Sequence, residues 1–108
     1  MPWGSQAVTL LPAKGREMKF AVICRDKPGH ADLRAATREA HLAYAKEAGG
    51  LVMGGPFLDE AGGMTGSLLI LELPDMEAAR QWTENDPYAR AGLFASVEID
   101  PWKQTVGS

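Results

Sequence analysis

Cysteine, histidine and long apolar runs are all scarce in this sequence, and each scarcity excludes a class of protein or limits the candidate reactive residues. One cysteine among 108 residues cannot form a disulfide framework within the chain. No apolar run approaches the ~20 residues that cross a bilayer, and no basic segment followed by an apolar stretch opens the chain. We therefore expect a cytoplasmic protein, neither secreted nor inserted in a membrane.

Clustered basic residues, which nucleic-acid binding requires, are also missing. Eleven Lys and Arg stand against fourteen Asp and Glu, which gives a net charge of −3. The predicted central strand at 67–73 has no aromatic side chain on which a base could stack. We expect no nucleic-acid partner.

What remains is the composition of an ordinary globular domain, with 45% apolar and 23% charged residues. We divide the chain into a flexible leader at 1–17, one domain at 18–104 and a short tail at 105–108. The leader mixes Gly, Pro, Ser and charged residues, whereas a clean strand pattern begins at Met18, which is an alternative first residue. A domain of this size buries only roughly 60–70% of its unfolded surface, so a partner surface would help its core.

The domain alternates strand-like and helix-like segments. Residues 31–48 are rich in Ala, Leu, Glu and Arg and stop at Gly49, which predicts a helix ended by glycine. Asp75 is a good N-cap for a second helix. The predicted elements are a strand at 19–24, the helix at 31–48, a strand at 51–56, a hairpin loop at 59–66, a strand at 67–73, a helix to about 85, a helical turn at 87–91, a strand at 94–99 and a loop from 100 onward.

This order of strands and helices predicts an α+β domain of the ferredoxin-like type, βαββαβ, in which both helices cover one face of a four-stranded antiparallel sheet. The continuous apolar character of the strand at 67–73 predicts that both of its faces are covered. A second copy would cover the open face. We therefore expect a homodimer, a dimeric α/β barrel whose facing sheets enclose a cavity for a small ligand.

Two histidines are the main candidates for acid–base chemistry near neutral pH. His30 lies in a loop and suits an exposed or helix-starting role. His41 lies in the middle of the first helix, and Asp86 ends the second helix on the same sheet face, so the two groups could meet. A carboxylate bonded to one imidazole nitrogen leaves the other free to move a proton on a substrate. Alternatively, Asp86 before Pro87 is only a helix cap, and His41 only a surface or packing residue, although a carboxylate has two oxygens and the two roles of Asp86 need not exclude each other.

Other reactive side chains favour structural interpretations. Cys24 lies in an apolar run, where a buried thiol is more common than a nucleophile. His41 has no ligating side chain four residues later, so we expect no metal site.

Several short motifs together resemble one known family. They are Arg38-Glu39-Ala40-His41-Leu42, Gly55-Pro56, Thr65-Gly66-Ser67, Asp86-Pro87-Tyr88 and Ala91-Gly92-Leu93. In this order and spacing they resemble the YciI-like proteins, which contain a YCII-related domain, from residue 18 to about 103. The resemblance implies a dimeric α/β barrel whose active site contains His41 and Asp86, with Ser67, Arg38 and Pro56 around the same pocket. The chain departs from the family in its leader and in the Gly62-Gly63 loop.

The resemblance also points to isomerases of the muconolactone type and to dehydrochlorinases. We expect a cofactor-free proton transfer or elimination on a small cyclic or phenolic carbonyl compound, with His41 as general acid or base and Asp86 as its orienting partner. Ser67 or Arg38 would bind a substrate oxygen. One alternative is a cofactor-free oxygenase of the same barrel, with Trp82 and Trp102 lining the pocket rather than packing elsewhere. The other is a small-molecule-binding dimer without turnover.

Overall fold

The structure is a computed structural model that describes residues 18–107. The leader at 1–17 and Ser108 lie outside the described residues. The elements are β1 (Met18–Asp26), α1 (Ala31–Ala48), β2 (Leu51–Leu58), β3 (Met64–Leu73), α2 (Met76–Glu84), α3 (Pro87–Arg90) and β4 (Phe94–Trp102).

The four strands form one antiparallel sheet in the order β2-β3-β1-β4. The two long helices follow β1 and β3, which is the ferredoxin-like α+β arrangement that the sequence predicts. Within the described residues, no helix is both long enough and apolar enough to cross a membrane.

Capping and glycine residues explain where α2 begins and where α1 ends. The Asp75 carboxylate accepts a hydrogen bond of 2.9 Å from the backbone N–H of Ala78, so the predicted N-cap of α2 is confirmed. After α1, Gly49 and Gly50 have φ of +76° and +87°, values that favour glycine. These residues turn the chain from α1 into the edge strand β2.

The core lies between the helices and one face of the sheet. It contains Val22 and Cys24 of β1, Leu69 and Leu71 of β3, Ala45 of α1 and Trp82 of α2. The opposite face of the sheet is not covered by helices, and Leu68 on that face is 38% exposed. The chain by itself therefore covers only one of the two faces that the apolar pattern of β3 predicts to be covered.

Several predicted strand boundaries are wrong, and β1 and β2 each continue two residues past their predicted ends, to Asp26 and Leu58. The hairpin loop is shorter than 59–66, because the Asp59 carboxylate accepts hydrogen bonds from the backbone N–H groups of Ala61 and Gly63 and closes a tight turn. The last strand continues past 99 to Trp102, where the predicted loop was placed, and Trp102 pairs with Lys19. Pro101 is tolerated there because β4 is an edge strand.

Candidate active site

His41 and Asp86 meet where α1 approaches the start of α3. Nδ1 of His41 lies 2.8 Å from Oδ1 of Asp86, and their side chains are 10% and 1% exposed. An ionised carboxylate only accepts hydrogen bonds, so Nδ1 carries the hydrogen and Nε2 of the neutral ring keeps its lone pair. A histidine held in this way can accept a proton from a ligand through Nε2.

A single oxygen of Asp86 makes both contacts, which the sequence by itself allows to two different oxygens. Oδ1 also accepts a hydrogen bond of 3.0 Å from the backbone N–H of Tyr88, so Asp86 is the N-cap of α3. Pro87 follows as the first helical residue. The other oxygen, Oδ2, is buried and has no hydrogen-bond partner within residues 18–107. Asp86 is thus both a helix cap and the partner of His41.

Arg34 belongs to the same cluster, although the sequence alone did not single it out. Its Nε and Nη2 atoms lie 2.6 and 3.0 Å from the two carboxylate oxygens of Asp26, and Nη2 donates a further bond of 2.9 Å to Oγ of Ser67. Only 4% of Arg34 is exposed. Arg34 precedes His41 by seven residues, which is two helical turns, and this spacing was the available signal.

The ring of Tyr88 contacts the side chains of both His41 and Arg34. It stacks on the His41 ring at a centroid distance of 4.2 Å and an interplanar angle of 19°. The guanidinium carbon of Arg34 lies 4.6 Å from the centroid of the same ring. In the sequence Tyr88 is only part of a motif, whereas in the fold its ring restricts the orientation of His41 and Arg34.

A pocket of about 220 Å³ lies beside this cluster, between α1 and the strands β2 and β3. All three predicted binding residues border it: Ser67 and Pro56 face each other across β3 and β2, and the exposed Arg38 lies on α1. The full lining consists of Arg34, Arg38, His41, Leu42, Ala45, Leu51, Gly54, Gly55, Pro56, Met64, Ser67, Leu69 and Tyr88.

The pocket beside His41 lies under α1, on the helix-covered face of the sheet. The cavity expected between the facing sheets of two copies would lie on the opposite face, and it stays a prediction. Space remains beside His41 because β2 contributes glycine at positions 54 and 55. A Cβ atom on Gly54 would lie 2.6 Å from Cδ2 of Leu69 and would fill part of the pocket wall.

Burial and the two aspartates set the electrostatics around the cluster. Burial raises the pKa of Cys24 to about 12, the negative charge of Asp86 adds to this effect, and Arg34 opposes it. Burial and then Asp86 also raise the pKa of Tyr44. Burial by itself would lower the pKa of Arg34, but its hydrogen bonds to Asp26 and the charge of that residue outweigh burial and raise it. Cys24 is therefore a buried neutral thiol, and the prediction of a buried thiol rather than a nucleophile is confirmed.

The remaining candidates lie away from the pocket. Trp82 is 5% exposed in the core, where its Nε1 donates to the backbone carbonyl of Gly49 at 2.9 Å. Trp102 is 40% exposed at the end of β4, and His30 donates through Nδ1 to the carbonyl of Pro28 beside α1. Neither tryptophan lines the pocket, so the residues expected to serve an oxygenase are not in place to do so. No group of three His, Cys, Asp or Glu side chains suited to a metal ion occurs among the described residues.

Solved structures with the same fold include one at substantial sequence identity. The 5-chloro-2-hydroxyhydroquinone dehydrochlorinase (TftG) from Burkholderia phenoliruptrix AC1100, in complex with 2,5-dihydroxybenzoquinone, is 36% identical with a TM-score of 0.74 over 82% of this chain and 96% of that one. SnoaB, a cofactor-independent oxygenase from Streptomyces nogalater, is 16% identical with a TM-score of 0.54 over 86% of this chain and 99% of that one. The second likeness concerns the fold alone.

Sequence comparison identifies the family. Residues 18–103 match the family model of the YCII-related domain. Protein YciI of Escherichia coli O6:H1 is 34% identical over 81% of this chain and 98% of its own length, and an uncharacterized protein of Haemophilus influenzae is 33% identical over the same shares. This chain belongs to the YCII-related domain family.

Proposed function

We propose that the chain is a cofactor-free enzyme that transfers a proton on, or eliminates a leaving group from, a small cyclic or phenolic carbonyl compound. The observation that carries this proposal is the buried His41–Asp86 pair with a 2.8 Å contact at the wall of a pocket. The dehydrochlorinase that is 36% identical to this chain supports the choice of reaction and of substrate class.

The size and lining of the pocket suit a single substituted ring. Cavities of about 150 Å³ hold benzene, so about 220 Å³ leaves room for a ring with a few oxygen or chlorine substituents. Leu42, Leu51 and Leu69 supply an apolar surface, while His41 and the arginines supply polar groups on the α1 side.

The chemical step uses Nε2 of His41 as the base. It accepts a proton from the substrate, the electron pair left behind forms a new double bond in the ring, and a substituent such as chloride leaves with its own bonding electrons. Hydrogen and chloride are lost together, so the step needs no oxidant or reductant. For an isomerisation, protonated His41 returns the proton at a second position.

The surrounding residues have separate roles. Asp86 holds the imidazole so that Nε2 stays available. Ser67 or Arg38 binds an oxygen of the substrate, and Pro56 shapes the opposite wall of the pocket.

The proposal extends to the assembly. Residues 18–104 form the functional domain, and two copies pair through the open faces of their sheets to give a dimeric α/β barrel. The exposure of Leu68 on the face that no helix covers supports this pairing.

The test is turnover of a panel of chlorinated hydroxyhydroquinones, followed by chloride release and by the absorbance of the quinone product. His41→Gln should lower kcat/KM by about 10²–10⁴-fold, since it removes the base. His30→Gln is the matched control, because His30 is a histidine outside the pocket, and it should change kcat/KM by less than about twofold.

Each other outcome has a definite meaning. Equal losses in the two histidine variants would contradict the assignment of His41 as the base. Ligand binding without any chloride release or isomerisation would leave a binding module, and oxygen uptake with a quinol panel would leave the oxygenase alternative.

A further inference from the structure

Arg34 retains hydrogen-bonding capacity that the described residues do not use. A guanidinium has five N–H donors, one on Nε and two on each terminal nitrogen. The bonds to Asp26 and Ser67 use the Nε donor and both donors on Nη2. Two donors on Nη1 are left, with no acceptor for them among residues 18–107.

Nη1 belongs to a side chain that borders the pocket. Among the described residues, the only buried side-chain nitrogen or oxygen without a partner is Oδ2 of Asp86. Nη1 has no partner within residues 18–107 and does not belong to this class of buried atom, although Arg34 as a whole is only 4% exposed. Arg34 borders the pocket, so a ligand bound there lies beside this side chain.

Ser67 offers a second donor at the same place. Its Oγ accepts the bond of 2.9 Å from Nη2 of Arg34, and no acceptor for its hydroxyl hydrogen is found in the described part of the chain. Ser67 is 4% exposed and borders the pocket. The hydroxyl can therefore donate to the ligand that Nη1 contacts.

We propose that Nη1 of Arg34 and the hydroxyl of Ser67 form a binding site for a negatively charged ligand oxygen, such as an enolate or phenolate. The inference rests on the proposed function for its ligand class, and it names the group that receives the negative charge when His41 accepts a proton. A charged oxygen gains most from donors that are already in place and shielded from water.

The site is held rigid by its neighbours. The two-pronged contact with Asp26 fixes the plane of the guanidinium, and Tyr88 lies against it at 4.6 Å. Tyr88 also stacks on His41, so one ring sets the relative position of the proton acceptor and the oxygen site. Little reorganisation is then needed when charge develops on the ligand.

The charges around the pocket can stabilise negative charge on a ligand oxygen. The two arginines, Arg34 and Arg38, equal the two aspartates, Asp26 and Asp86, in number, so the cluster has no net charge while His41 is neutral. Proton transfer to His41 produces a cation on the protein and an anion on the ligand together. The ligand anion then lies among His41, Arg34 and Arg38.

Equilibrium binding of two quinones tests this site without requiring turnover. The probes are 2,5-dihydroxybenzoquinone, an acidic ring that is ionised at neutral pH, and 2,5-dimethoxybenzoquinone, its neutral ether. Wild type should prefer the first. Ser67→Ala, and the double variant Arg34→Gln with Asp26→Asn, should weaken binding of the first by at least about tenfold while changing the second by less than about threefold. The double variant avoids leaving Asp26 buried without its partner.

Arg80→Gln is the matched control, because it removes the same charge from an exposed side chain of α2 that does not line the pocket, and it should weaken binding by less than about threefold. The inference is overturned if wild type shows no preference for the dihydroxy compound, or if the Arg34 and Ser67 variants keep it. If wild type shows the expected binding but no turnover, only the proposed function fails. If the Arg34 variants keep the preference in an enzyme that depends on His41, only this inference fails.

Discussion

At the scale of single residues, Asp86 carries more than one role on one oxygen. Its Oδ1 holds both Nδ1 of His41 and the backbone N–H of Tyr88, so the start of α3 and the orientation of the imidazole depend on the same atom. A substitution that tests the negative charge of Asp86 must therefore keep the N-cap of α3. Asparagine keeps an oxygen that can cap α3, whereas alanine removes the cap and costs about 0.5–2 kcal/mol.

Asp86→Asn should allow the neutral His41 ring to populate both tautomers. In wild type the neutral ring should carry its hydrogen on Nδ1, because the carboxylate can only accept. The asparagine amide can also donate, so a population with the hydrogen on Nε2 should appear and turnover should fall toward that of His41→Gln. Nitrogen-15 chemical shifts of the imidazole report the tautomer directly. His30, which donates to the Pro28 carbonyl, is the internal control and should not change. A wild-type His41 with its hydrogen on Nε2 would contradict this geometry.

Cys24 should make the fold sensitive to alkali. Its pKa is raised to about 12 by burial and then by Asp86, above the ordinary value of 9.0. The folded chain therefore keeps the thiol proton between about pH 9 and 12, while the unfolded chain releases it. Stability that is fully present below pH 9 is thus lost as the pH rises toward 12.

Urea unfolding of wild type and Cys24→Ala at several pH values measures this contribution. The free energy of unfolding of wild type should fall relative to that of Cys24→Ala between pH 8 and pH 11. Tyr44, whose pKa is also raised, titrates in both proteins, so the difference between them isolates Cys24. Parallel curves would rule out the raised pKa. The same shift leaves a thiolate fraction of only about 10⁻⁴ at pH 8, so the native thiol should react poorly with a thiol reagent.

At the scale of secondary-structure elements, the sequence predicts helices better than strand ends. The bounds of α1 at 31–48 are as expected, because a glycine-free run followed by two glycines leaves little choice. The start of β3 depends instead on pairing with β2 and the end of β4 on pairing with β1, and this pairing includes Gly66 and Pro101 despite their weak strand preference. A pattern within one strand does not contain that information.

The candidate site also has one part that the sequence predicts and one part that it does not. The meeting of His41 and Asp86 could be anticipated because the fold places α1 and the end of the second helix on one face of the sheet. Arg34 could not be anticipated from residue type, since most arginines on a helix are exposed. Its burial depends on Asp26 at the far end of β1 and on Ser67 in β3, two contacts that exist only in the folded chain.

At the scale of the whole molecule, one apolar face of the sheet is not covered by any helix among residues 18–107. Residues that alternate with the core positions of β1 and β3 point away from the helices, among them Ile23 and Leu68, which pair across the two strands. Met53 of β2 pairs with Ile70 on the same face and is 56% exposed. An apolar sheet surface of this kind is covered by a partner in most water-soluble proteins.

The proposed partner is a second copy, and Leu68→Asp tests it. A charge on the shared face of the sheet would be buried twice in a symmetric dimer, so the dissociation constant should rise at least tenfold, by an order-of-magnitude estimate of about 1.4 kcal/mol or more. Sedimentation velocity over a range of protein concentrations measures the change. Val106→Asp is the matched control, because Val106 is 83% exposed on the segment after β4 and should leave the dimer intact. A wild type that sediments as a monomer would exclude the dimeric barrel. The pocket beside His41 consists of residues of one chain, so ligand binding by a well-folded Leu68→Asp monomer should persist.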